Sequence, residues 1–440
     1  MSNTTQQTRR PSETDVRRVV ASSFLGTSLE WYDFFLFGTT AAIVFAPLFF
    51  PSTNQTAATL SAFVSFGIGF LARPLGAIFF GHFGDRLGRK GTLVATLLLM
   101  GIATTLMGLL PDFSTAGVTA PLMLTLLRIA QGLAAGGEWG GATLMALEFA
   151  PEEKKGLYAS IVQMGSPVGN ILSTGAVTLM ITFAGPNFLT WGWRIPYLLS
   201  VVLIGVALWM RVGLKESPEF EKVLEQHEVQ KVPFAELVAK AWARVLVATM
   251  MYLFGVAGFF MMTTFGISYV RNVVKANPQL ALNGILAGAV IEIIALWAIG
   301  TIAKRVGAPN AFLLGSVVSA VVVVAFFPML HTGDPVIITL AYMLGLGVAG
   351  LPYGPVGAVM NRLFPTRYNY SALAVSANLA GVIAGFMPFF ATAVMGDVGS
   401  PVLPSIVTVA LALISLAGAI LAKVMLKSDE DGRSIGISGW

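Results

Sequence analysis

Two apolar stretches, near residues 57–83 and 92–110, are broken only by the run Gly81-His-Phe-Gly-Asp-Arg-Leu-Gly-Arg-Lys90. Each is long enough to cross a bilayer's hydrocarbon, which takes about 20 residues at 1.5 Å per residue. Asp85, Arg86, Arg89 and Lys90 do not belong in hydrocarbon, so the run is expected to form a tight polar turn between two membrane-spanning helices. A Gly-rich basic turn that cradles phosphate needs a strand before it and a soluble helix after it. Apolar helices flank this one on both sides.

The same pattern continues along the chain. Apolar spans lie near 19–49, 57–83, 92–110, 121–149, 155–184 and 191–213, and a second set near 243–271, 281–303, 310–330, 335–361, 368–396 and 401–426. The expected fold is therefore an all-α membrane protein with twelve transmembrane helices in two six-helix bundles. Only 11% of the residues are charged, against about 25% in a soluble chain. The predicted organisation is a polar N-terminal tail (1–18), a first bundle (19–213), a Glu- and Lys-rich linker (214–242), a second bundle (243–426) and a C-terminal tail (427–440). The tail before the first span has four arginines and no apolar core, so it does not read as a signal peptide. Cysteine is absent, which excludes a disulfide framework or thiol metal site.

Basic residues set the expected orientation. With the N-terminus inside, 22 of the 27 lysines and arginines fall in the tails and alternate loops on one face. The positive-inside rule makes that face cytoplasmic, with both termini inside an inner (plasma) membrane. The net charge of +5 is then accounted for by topology and lipid, and nucleic-acid binding loses its support.

An internal repeat is visible, because Gly81, Arg86 and Gly88 align with Gly300, Arg305 and Gly307. The second copy has Lys304 in place of the aspartate and Ala308 in place of the second arginine. Arg362 likewise stands where the first half has Glu148. The first copy, with Gly81, Gly84, Asp85, Arg86, Gly88, Arg89, Lys90 and Glu148, is expected to form a charge latch between helices on the cytoplasmic face. The second half lacks one unless acidic linker residues or lipid supply a partner.

The run at 81–90 resembles the loop after the second helix of major facilitator transporters, G-x-x-x-D-R-x-G-R-[RK], at every defined position. Glu30-Trp-Tyr-Asp33, Leu71-Ala-Arg-Pro-Leu-Gly76, Arg128-Ile-Ala-Gln-Gly132, Gly136-Gly-Glu-Trp-Gly-Gly141, Gly192-Trp-Arg-Ile-Pro196, Glu216-Ser-Pro-Glu-Phe220 and Leu363-Phe-Pro-Thr-Arg367 narrow the resemblance. They are similar to the metabolite:proton symporter branch. That resemblance implies a symporter that imports a small organic acid, shikimate-like or a di- or tricarboxylate, or a zwitterion. Alternating access by the two pseudo-symmetric halves comes with it, in a protein functional as a monomer and without a cofactor. It ties Arg128, which opens Arg-x-x-Gln-Gly, to proton coupling. A proton-driven exporter and a non-transporting sensor stay open as alternatives.

Charged residues deep in the spans are the candidate chemistry. Glu30 and Asp33 of the first span, Arg73 of the second and Glu292 of the eighth count to near the midplane, with Arg128 and Glu138 of the fourth on either side. Each costs about 2.5–3.5 kcal/mol at the bilayer centre, so idle charges there are selected against. Four carboxylates face two arginines. Burial and like-charge proximity favour the protonated form, so at least one carboxylate is expected to take up a proton near neutral pH. Glu30 and Asp33, at i and i+3, are expected to share a helix face. Asp33 is the candidate proton carrier, with Arg73 or Arg128 as its partner, and Glu30 and Glu138 complete the candidate coupling set.

Arg73 and Glu292 each precede the repeat's first glycine by eight residues, so two symmetry-related positions carry opposite charges. They are candidates for binding a solute with a carboxylate at one end and a polar or cationic group at the other, or for a direct salt bridge that acts as a gate. Gln163, Asn170, Tyr32, Asn378 and Tyr252 are further candidate hydrogen-bonders, against the plainer reading of interhelical contacts. Pro167, Pro196, Pro352, Pro355 and Pro388 are candidate hinges. No nucleophile, nucleotide loop or metal-ligand spacing appears, so the chain reads as a transporter of small metabolites and protons, not an enzyme.

Overall fold

The computed structural model describes residues 13–87, 89–136, 152–212, 234–365, 369–395 and 399–431. The described residues are helical throughout their regular elements. Twelve spans follow in order: α1 (Val19–Phe49), α2 (Gln55–Leu87), α3 (Arg89–Met107), α4 (Thr119–Gly136), α5 (Lys155–Gly192), α6 (Arg194–Val212), α7 (Lys240–Asn272), α8 (Pro278–Val306), α9 (Ala308–His331), α10 (Pro335–Arg362), α11 (Asn369–Met395) and α12 (Val402–Glu430). An even number of crossings puts the start of α1 and the end of α12 on one face, called here the terminal face. Side chains such as Phe183, Trp209 and Val321 are exposed on the outside of the bundle. Hydrocarbon is the solvent that such a surface requires.

Short loops are fixed by capping. Asn277 accepts from the Gln279 N–H ahead of Pro278, and Asp334 accepts from the Val336 and Ile337 N–H groups ahead of Pro335. In both cases a polar cap takes the orphan donors while proline occupies the first helical position, where no donor is needed. Arg194, at the start of α6, donates to the carbonyls of Gly108 and Leu110 just past α3, so a cation closes that helix's negative end. In the loop between α3 and α4, hydrogen bonds from the Ser114 and Thr115 hydroxyls hold the Asp112 carboxyl below the usual carboxylate range.

Pairing of helices repeats between halves. In the first, α1 packs on α5, α2 on α4 and α3 on α6; in the second, α7 packs on α11, α8 on α10 and α9 on α12. The halves meet where α2 lies on α11 and where α5 lies on α8, two contacts exchanged by the same symmetry. Prolines fall where breaks occur: α10 divides at Gly354 and Pro355, α5 divides at Met164 ahead of Pro167, and Pro388 sits inside α11. The helix entering α7 begins earlier than the apolar pattern indicates, at Phe234, and kinks at Ala241 (φ −129°, ψ 21°).

The expectation of a second half without acidic partners needs correction. Arg244 of α7, 2% exposed, makes a bidentate pair with Asp429 at 2.6 and 2.8 Å and donates to the Leu363 carbonyl at 2.7 Å. Arg362 of α10 pairs with Glu430 at 3.5 Å on the surface. The acids come from the last turn of α12, at the edge of the apolar pattern, and not from the linker. Arg244→Ala is therefore expected to lower stability by about 1–3 kcal/mol, a buried-pair loss reduced by the partial exposure of Asp429. Thermal unfolding in detergent reads this directly, and a midpoint equal to the parent's would mean the tie contributes nothing. Arg244→Lys is expected to recover little of it, because lysine lacks the planar fork.

On the first-half side, Gly81, Gly84, Asp85, Arg86, Arg89 and Lys90 fall at the α2–α3 junction. Their side chains, and Gly88 and Glu148 entirely, lie outside the described residues, so the first latch remains an expectation.

Candidate substrate and proton site

The site is built on a close crossing of α2 and α4. A methyl group on Gly132 would overlap the Gly69 carbonyl oxygen, and one on Gly136 would overlap that of Arg73. Backbones that approach this closely need small residues at the contact. The crossing brings Arg73 and Arg128 to the same region of the first half, within electrostatic reach of one another.

Arg73 Nη2 donates to Glu30 Oε1 at 2.8 Å, and both side chains are buried. The bridge that sequence symmetry offered, Arg73 to Glu292, gives way to a pair inside the first half. Glu30 and Asp33 also part company. Three residues advance a helix by about 300°, so the two carboxyls diverge by some 60°. Glu30 meets α2, while Asp33 accepts a long hydrogen bond from Ser200 of α6 at 3.4 Å and lines a narrow cavity with Leu97, Met100, Gly101 and Ile204. The shared face expected for the two carboxyls is thus divided between two neighbours.

Arg128 is fully buried. Its guanidinium carbon lies 4.4–5.6 Å from the ring centres of Phe34, Phe37, Phe66 and Phe70. Aromatic faces stabilise a cation that has been removed from water. Nη1 donates to Gln131 Oε1 at 2.9 Å, and Gln131 Nε2 donates to Thr104 Oγ1 at 2.6 Å, which fixes the amide's orientation. Asp33 is within electrostatic reach of Arg128.

From the second half, Tyr252 of α7 and Tyr353 of α10 place their hydroxyls 3.3 Å apart. Tyr252 lies within electrostatic reach of Arg73 and Glu30, and Tyr353 of Glu30 and Glu292. Glu292 of α8 is 1% exposed, and its Oε2 has no hydrogen-bond partner. Gln163 of α5 is buried beside Tyr252, within hydrogen-bonding reach of its hydroxyl. Asn170 Oδ1 accepts from Thr174 at 3.0 Å while its Nδ2 has no partner. Asn378 is buried on α11. Tyr32 points elsewhere: its hydroxyl donates to the Pro196 carbonyl at 2.6 Å, toward α6 of its own half. Glu138 lies outside the described residues.

Two features escaped sequence reading. Phe260 of α7 inserts between α1 and α2, with its ring 5.0 Å from Phe66 and 5.2 Å from Phe70, while Phe259 stacks on Phe35 at 4.9 Å. Further toward the face opposite the termini, α1 widens into a π-turn at Ala41–Phe45. There the Ala42 and Ile43 carbonyls accept from Arg271 Nη1 of α7 at 3.2 and 3.1 Å. The halves are tied on this side by an aromatic seam and one arginine. A π-turn in a spanning helix often marks function, but nothing in Ala-Ala-Ile-Val-Phe announces one.

Twelve spans in two related halves, with buried charges where the halves meet, define a membrane transporter and not an enzyme. The chain belongs to the Major Facilitator Superfamily, whose model matches residues 23–388. It is 36% identical over 425 residues to the inner membrane metabolite transport protein YhjE of Escherichia coli (strain K12), covering 95% of each chain. It is 39% identical over 390 residues to the shikimate transporter of the same strain, covering 86% of this chain and 88% of the relative. The proline/betaine transporter of that strain is 29% identical over 418 residues, which cover 93% of this chain and 83% of the relative. A crystal structure of a D-xylose-proton symporter superposes with a TM-score of 0.68 over 91% of this chain and 97% of that one, at 16% identity, a likeness of fold.

Proposed function

We propose that this chain is a proton-coupled symporter that imports a small organic acid or zwitterion by alternating access, with its terminal face in the cytoplasm. The observation that carries the reading is the set of buried ionisable groups in the spans: Glu30 with Arg73, Asp33 near Arg128, and Glu292 near Tyr353. Groups of this kind are retained inside a membrane where they move protons or hold charged solute. Relatives named for shikimate and for proline and betaine support a solute bearing a carboxylate. The lysines and arginines gathered in the tails and alternate loops support the orientation. Asp33 carries the proton in this reading. Arg73 and Arg128 supply positive charge, while Gln163, Asn170, Tyr252, Asn378 and Glu292 line the solute's path. Protein reconstituted in liposomes is expected to accumulate a carboxylate when the outside is made acidic, and to lose accumulation when a protonophore collapses the gradient. Accumulation indifferent to the pH gradient would overturn proton coupling.

A further inference from the structure

Gly69 of α2 meets α4 twice. Its carbonyl oxygen lies under Gly132, and the space where its side chain would stand is taken by Arg128, one turn earlier on the same face of α4. A methyl group on Gly69 would overlap Arg128 Nε and come within 2.9 Å of Cδ and Cζ. Contacts that short cannot persist, so the arginine would have to move.

Arg128 has little room to yield. The atoms met are the middle of its side chain, not its tip. The guanidinium beyond them is fully buried among Phe34 and Phe37 of α1 and Phe66 and Phe70 of α2. Nη1 is held by Gln131, and Nη2 donates to the Phe66 carbonyl at 3.5 Å. Packing of this density transmits a displacement instead of absorbing it. The contact is also with a side chain and not with backbone, which sets Gly69 apart from Gly132 and Gly136. Those two serve the crossing itself, whereas Gly69 makes room for a charge.

The position of that charge governs the field at Asp33. Groups within electrostatic reach of Asp33 include Arg128 of α4, Tyr197 of α6 and Tyr32 beside it on α1. The Ser200 hydroxyl donates to it from α6, while α3 brings Leu97, Met100 and Gly101 to the cavity it lines. Glu30, one turn earlier, is turned toward Arg73, and Arg73 in turn reaches Arg128. In an interior with little water to screen it, a small movement of the cation changes its interaction with the carboxyl.

We infer that Gly69 is a positioning residue for proton coupling: its missing side chain sets where the Arg128 charge stands, and through Arg128 the acidity at which Asp33 takes up its proton. This rests on the reading of Asp33 as the proton carrier, and it gives a part in coupling to a residue with no side chain of its own.

Two measurements on the full-length protein test it. The first is a double-mutant cycle on the unfolding midpoint in detergent, with Gly69→Ala, Arg128→Leu and the pair. Gly69→Ala is expected to lower the midpoint by at least about 3 °C beside Arg128, and by less than about 1 °C where Arg128→Leu has removed Nε and the guanidinium, the non-additivity of residues in contact. If Gly69→Ala alone is too unstable to purify, its recovery in the Arg128→Leu background is the same result read as yield. The second is uptake of labelled shikimate or proline into liposomes from media of graded acidity. A folded Gly69→Ala protein is expected to move the external pH of half-maximal uptake by at least about half a unit, since a displaced charge changes the proton affinity of its neighbour. Gly205→Ala, on α6 with nothing within 4 Å of the added methyl, is expected to leave it where it is. Additive midpoints would overturn the inference, as would a folded Gly69→Ala protein with the pH profile of a pH-dependent parent. Uptake by the parent that ignores pH would instead sink the symport reading, and the cycle, which needs neither solute nor gradient, would still decide the contact.

Discussion

Asp33→Asn is expected to reduce proton-driven accumulation to simple equilibration, an internal-to-external solute ratio near one, while counterflow exchange continues. The two side chains have the same shape, and asparagine can still meet the Ser200 hydroxyl, so the packing of α1 against α6 is preserved. What disappears is the gain and loss of a proton at this position. Asp33 is 6% exposed and lies within electrostatic reach of Arg128, so its charge cannot change without altering the balance around that buried cation. Counterflow needs no net proton movement and should persist if the solute groups are intact. Accumulation equal to the parent's under the same gradient would remove Asp33 from the carrier role.

Gly132→Val is expected to disrupt the packing of the first half severely. A side chain there meets the backbone of Gly69, which cannot rotate away as a flexible side chain can. The cost of prising α2 from α4 is expected to exceed about 4 kcal/mol, in the range of severe overpacking. Because Arg73 and Arg128 sit on the two helices so separated, any residual protein should also fail to bind solute. Gly205→Val on α6 is the control, since nothing lies within 4 Å of a methyl built there. Yield and unfolding midpoint in detergent separate the two. A Gly132→Val protein that melts and transports like the parent would show that the crossing is looser than drawn.

The fold is legible because its main determinant is one-dimensional: runs of apolar residues long enough to span hydrocarbon, punctuated by charged turns. Pairings within the site are harder to read. Arg73 and Glu30 are visible as misplaced charges, but their union depends on the rotation of two helices about their axes, which an apolar sequence barely encodes. The rings around Arg128 are invisible for a simpler reason. Phe34, Phe37, Phe66 and Phe70 look like any lipid-facing phenylalanine until the helices are packed. The Arg244–Asp429 pair is harder to read because charges at the ends of spans look like loop residues, although Arg244 is among the most buried large side chains.

Phe66 and Phe70 belong to two structures at once. They close the seam with Phe260, and they present their faces to Arg128, with Phe70 also facing Arg73 at 5.7 Å. Movement of α7 away from α2 would therefore do more than admit a solute. It would uncover Phe66 and Phe70, two of the rings that shield the arginines. Access to the interior and the electrical insulation of the arginines are then linked through the same two phenylalanines.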